Sequence, residues 1–100
     1  MGHAIKKRAE PRLDVEIWGK FRHHGRAYEV ILRDLSQSGC RFFDRHGNLP
    51  VGEKVSLRIA GMGPFEAEVK WQIKGYVGVA FDNPLYQPVM DHIVANSQAN

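Results

Sequence analysis

Phe65-Glu66-Ala67-Glu68-Val69-Lys70-Trp71-Gln72-Ile73-Lys74-Gly75-Tyr76-Val77-Gly78-Val79-Ala80-Phe81 alternates twice. Phe65, Ala67, Val69 and Trp71 interleave with Glu66, Glu68, Lys70 and Gln72, and after Lys74-Gly75 the pattern resumes with Val77, Val79 and Phe81. A period of two predicts strands with one face on a core and one in water, and Lys74-Gly75 between them predicts a tight hairpin turn. On this pattern Trp71 is read as core or sheet packing.

The same rhythm extends upstream. Val55, Leu57 and Ile59 alternate with Lys54, Ser56 and Arg58, and Gly61-Met62-Gly63-Pro64 reads as the turn that follows. Cys40 and Phe42 mark a short strand at 40–43, preceded by strands at 26–34 (Tyr28, Val30, Leu32) and 13–22 (Leu13, Val15, Ile17). His23-His24-Gly25 joins those two as a hairpin, and residues 44–52 read as a polar loop. Downstream the period changes. Asn83 suits an N-cap, Pro84 a first helical position, and Leu85, Val89 and Ile93 recur every fourth residue, which predicts a helix from about 84 to 95. The fold expected is therefore mainly all-β, a six-stranded antiparallel β-barrel with one C-terminal α-helix. The expected division is a flexible basic segment at 1–12, a barrel at 13–82 and a helix at 83–96.

One hundred residues make one domain, long enough to bury a core without disulfides. The lone Cys40 has no intramolecular partner and reads as a small buried hydrophobe. No apolar stretch is long enough to span a bilayer and no apolar run opens the chain, so the expectation is a cytoplasmic protein without membrane insertion. The net charge is +3, and Lys6, Lys7, Arg8 and Arg12 against Glu10 account for all of it. A basic head on a neutral body points to an anionic partner.

Two polar clusters lack an obvious structural task. Arg8-Ala9-Glu10-Pro11-Arg12 places two arginines four apart, and Pro11 disfavours helix at Glu10. Asp34-Leu35-Ser36-Gln37-Ser38-Gly39 is turn chemistry at the end of the second strand. Arginine forks match phosphates bidentately and bridge or stack on a purine. Asp34 offers an acceptor for the N–H donors of guanine, Ser36 a hydroxyl, and Gly39 an approach without a Cβ.

Arg-x-x-x-Arg upstream of Asp-x-Ser-x-x-Gly resembles the two-part signature of the PilZ domain, a bacterial receptor for cyclic di-GMP. Val69-Lys70-Trp71 followed by Gly78-Val79-Ala80-Phe81 resembles that family's last two strands, and the likeness runs from about residue 7 to 95. The resemblance implies a six-stranded barrel with a C-terminal helix that binds cyclic di-GMP on its outer surface. It implies that Arg8, Arg12, Asp34, Ser36 and Gly39 are the ligand-binding residues. Lys7, beside the first arginine, falls where the family distinguishes one bound ligand from an intercalated pair, and a cation there favours the pair. The expected role is that of a non-catalytic effector. Ligand orders the head against the barrel, and a downstream protein partner not named by the sequence reads the result.

Two other classes share parts of this pattern. A small nucleic-acid-binding barrel would use the same basic segment, but Glu16, Glu29, Glu66 and Glu68 on the strands oppose it. A PilZ-like module that binds only protein would not need the complete signature. No nucleophile–base pair or paired catalytic carboxylates stand out, and neither catalytic residues nor a cofactor are expected. Adjacent histidines on a strand point to opposite faces, so His23 and His24 with Cys40 give no metal-binding pattern, and no metal is expected.

Overall fold

A computed structural model describes residues 12–47 and 49–97. Among these residues the chain forms β1 (Ile17–His23), β2 (Arg26–Arg33), β3 (Gly39–Phe43), β4 (Lys54–Ile59), β5 (Met62–Ile73), β6 (Tyr76–Phe81) and α1 (Gln87–Ser97). The strands close into a barrel in the order β1-β2-β3-β6-β5-β4, and every neighbouring pair is antiparallel. Closure removes the free strand edges that would otherwise pair with other chains.

Alternation fills the interior. Ile17 and Phe21 of β1, Val30 and Leu32 of β2, Cys40 and Phe42 of β3, and Val77, Val79 and Phe81 of β6 are all buried. Phe21 stacks between Tyr28 and Phe42, with ring centroids 4.9 and 5.1 Å away. Burial pushes the Cys40 thiol up to about 12, so it stays protonated and packs as a hydrophobe. Met90 and Ile93 of the helix, and Leu85 just before it, join the same core.

Three hairpins turn on a two-residue loop in which both residues have positive φ: His24-Gly25, Ala60-Gly61 and Lys74-Gly75. This turn matches the right-handed twist of the flanking strands. It corrects the reading of Gly61-Met62-Gly63-Pro64 as a turn. The chain reverses at Ala60-Gly61, and β5 already begins at Met62, opposite Ile59.

Two other boundaries differ from the sequence reading. The first strand begins at Ile17, because Leu13 pairs elsewhere, in an isolated bridge to Leu35 beyond the end of β2. The helix begins at Gln87, and Tyr86 accepts its first turn's hydrogen bond from Met90 N–H at 3.0 Å. Asn83 and Pro84 do not start it because the next residue is held to another loop. Leu85 N–H donates to the Gln37 carbonyl at 2.8 Å, and Gln37 Nε2 donates to the Leu85 carbonyl at 2.9 Å.

Phe42 is fully buried against Phe21. Phe42→Ala should lower the unfolding free energy by about 3–5 kcal/mol in urea titration. A loss below about 1 kcal/mol would mean that the β3 side chain does not fill the barrel.

Candidate functional site

The segment after β2 leaves the sheet at Asp34, whose φ of 55° lies in the left-handed region. Asp tolerates that conformation better than most residues because its short side chain bonds locally. The ladder is interrupted there, and Leu35 turns inward and is fully buried. Leu13 N–H donates to Leu35 C=O at 2.8 Å, and Leu35 N–H donates back to Leu13 C=O at 3.1 Å. These two bonds bring the start of the described chain alongside the loop and set Arg12 beside Asp34.

Ser36 and Gly39 build the turn. Ser36 N–H donates to Gly39 C=O at 2.9 Å, and Ser36 Oγ accepts from Ser38 N–H at 3.3 Å and Gly39 N–H at 3.2 Å. Ser36 is only 5% exposed, so its hydroxyl serves mainly the loop's own backbone. Gly39 has no room for a side chain, since a Cβ would run into the Val79 carbonyl on β6. Its close approach is to a neighbouring strand.

Asp34 is the member of this triplet that presents its charge outward. Its Oδ2 accepts a hydrogen bond from Arg41 Nε at 3.1 Å and lies 3.7 Å from Arg12 Nη1. Arg41 is further held with its guanidinium carbon 5.5 Å from the centre of the Tyr76 ring. Arg12 is 70% exposed, so its pairing with Asp34 contributes little to stability.

These groups edge a hollow of about 260 Å³ on the outer wall, between the Asp34 loop and β5–β6. Arg12, Arg41 and Lys70 supply three cations against the carboxylate of Asp34, and Trp71 forms a wall. The Trp71 indole lies over Gly78, where any Cβ would collide with it. Trp71 is therefore on the outer face and partly exposed, which leaves sheet packing, and not the core, from its reading as core or sheet packing. A register shift between Val69 and Trp71 changes which face it takes.

The protein matches the family model described as the PilZ domain over residues 6–96. The chain belongs to the PilZ domain family. No curated protein matches it. The PilZ domain is known as a cyclic di-GMP-binding family.

Of the residues expected at the PilZ site, Arg12, Asp34, Ser36 and Gly39 are brought together around this hollow. Lys7 and Arg8 lie outside the described residues. Arg41, Lys70 and Trp71 were missed by the sequence reading. For Arg41 a signal existed, because Cys40 and Phe42 point inward and residue 41 must then point out. For Lys70 and Trp71 the approach to the loop depends on β3 pairing with β6 and β6 with β5, which local alternation does not report.

Ser36→Ala should lower the unfolding free energy by about 1–2 kcal/mol, because two backbone N–H groups lose their buried acceptor. Chemical denaturation measures it. An unchanged midpoint would show that Ser36 has no part in holding the loop.

Proposed function

We propose that this PilZ domain is a receptor for cyclic di-GMP, and that the hollow between Asp34 and Trp71 receives one guanine and an adjoining phosphate. The observation that carries the reading is the pair of arginines on one carboxylate. Asp34 Oδ2 sits between Arg41, fixed by Tyr76, and Arg12, which is largely exposed.

The chemistry follows from what each group offers. A guanine presents N–H donors on one edge and the O6 and N7 acceptors on another. Asp34 accepts from the first edge. An arginine released from Asp34 bridges the second edge or forks onto phosphate. Lys70 adds a point charge for the remaining phosphate oxygens, and the indole of Trp71 gives an apolar wall for the base.

At about 260 Å³ the hollow is smaller than the roughly 300–1,000 Å³ of typical small-molecule pockets. It accommodates part of a dinucleotide, which leaves the rest for Arg8 and Lys7 on the basic head. Ligand thus draws head and barrel together, and a protein partner that prefers the closed surface reads the nucleotide.

Calorimetric titration with cyclic di-GMP tests the reading. We expect a dissociation constant near ~1 µM, about 8 kcal/mol. Arg12→Ala should weaken binding at least about tenfold yet leave the melting temperature of the free protein nearly unchanged, since its only described ion pair is exposed. Absence of heat at high protein concentration, or steeply salt-dependent binding to single-stranded RNA in its place, would overturn the proposal.

A further inference from the structure

Far from the dinucleotide hollow, at the other end of β2, a second group of side chains converges. From Arg26 to Arg33, β2 spans about 23 Å at the usual rise per residue. At its start the β1–β2 turn sends two histidine rings to one side. His24 leaves the strand with φ of 50°, so its ring swings over that of His23. The rings stack with centroids 3.9 Å apart and planes 21° apart. This overturns the expectation that adjacent histidines face opposite ways, because strand alternation ends at His23.

Both rings aim at one carboxylate oxygen on the loop before β4. His23 Nε2 lies 2.6 Å and His24 Nε2 3.6 Å from Glu53 Oε1. The three ligand atoms lie within 4.8 Å of one another. Backbone bonds place Glu53 firmly, as its N–H donates to Pro50 C=O at 3.2 Å and its C=O accepts from Val69 N–H at 2.9 Å.

We propose that His23, His24 and Glu53 form a binding site for a divalent transition-metal ion such as Zn²⁺. Two imidazole nitrogens and one carboxylate oxygen are the donor set of three-ligand zinc sites that keep one position open. Nitrogen donors select Zn²⁺ over Mg²⁺ and Ca²⁺, which take oxygen. Tetrahedral bonds of about 2.0–2.1 Å need donors about 3.3 Å apart. The His24–Glu53 separation is close to that, and the His23–Glu53 contact opens by under an ångström once the ion replaces the proton between them. The neutral His23 ring would ligate through Nε2 and carry its single N–H on Nδ1.

His23, His24 and Glu53 line a hollow of about 420 Å³ that Asp44 and His46 also line. Its lining carries the carboxylates of Glu53 and Asp44 against the guanidinium of Arg26, a balance that favours a cation. This is the reverse of the dinucleotide hollow. A bound ion would tie the β1–β2 turn to the loop before β4, two segments thirty residues apart in sequence. It would stabilise the folded state by mass action.

The test uses the full chain without an added histidine tag, after chelator treatment. Co²⁺ titration should give one equivalent of visible ligand-field absorption, displaced by Zn²⁺, and Zn²⁺ should raise the melting temperature by about 5 °C or more. His24→Ala and Glu53→Gln should each weaken binding at least about tenfold. Since the His24 side chain is 78% exposed, its removal leaves the barrel folded. His3, near the start of the sequence and outside the described residues, is no ligand in this proposal, so His3→Ala should bind as the parent does. No saturable Co²⁺ binding at millimolar metal, binding indifferent to both site substitutions, or binding lost with His3 would each overturn the proposal.

Discussion

Gly39 lies so close to the Val79 carbonyl that a side chain cannot fit between them. That approach lets β3 pair with β6 from Gly39↔Ala80 to Phe43↔Tyr76, and this ladder joins the first three strands to the last three. The outer-wall hollow depends on the same contact. It brings the Asp34 loop against Val79 and Ala80, sets Arg41 opposite Gly78 and next to Tyr76, and leaves Trp71 leaning over Gly78. Two glycines on facing strands thus do separate things. Gly39 admits the strand, and Gly78 admits the indole.

Within that frame the signature divides into parts with different duties. Ser36 and Gly39 shape the turn, and Asp34 holds the charge it presents. Arg12 reaches Asp34 because the Leu13–Leu35 bridge carries it there. On the proposed reading, the aspartate between two arginines is held ready for exchange, since a ligand that offers N–H donors to Asp34 and acceptors to the arginines would substitute for both contacts. The opposite end of the barrel has the contrary chemistry, with imidazoles and carboxylates around a hollow suited to a cation.

The barrel was legible in the sequence wherever alternation alone determines the outcome. Val55, Leu57 and Ile59, Cys40 and Phe42, and Val77, Val79 and Phe81 all face the core as their spacing predicts. The errors fall where pairing across the sheet or a positive φ takes over. Leu13 continues the strand rhythm yet bridges to Leu35, and Leu85 continues the helical rhythm yet is tied to Gln37. Trp71 looked apolar-facing until the register shift in β5 turned it outward. His23 and His24 looked divergent until the left-handed turn placed both rings on one carboxylate. Asp34 was singled out through resemblance and turn chemistry and lines the outer-wall hollow, whereas placing Arg41 there needed the additional step of asking what lies between two inward residues.

On the proposed reading, cyclic di-GMP occupies the outer-wall hollow between the Asp34 loop and β5–β6. Amide chemical shifts of isotope-labelled protein, followed during titration with the dinucleotide, test it most directly. Saturable shifts are expected at Arg12, from Asp34 to Arg41, and at Lys70, Trp71 and Gly78, with the amides of His23, His24 and Glu53 unmoved. Shifts centred on another face of the barrel, or a spectrum unchanged at saturating ligand, would contradict it.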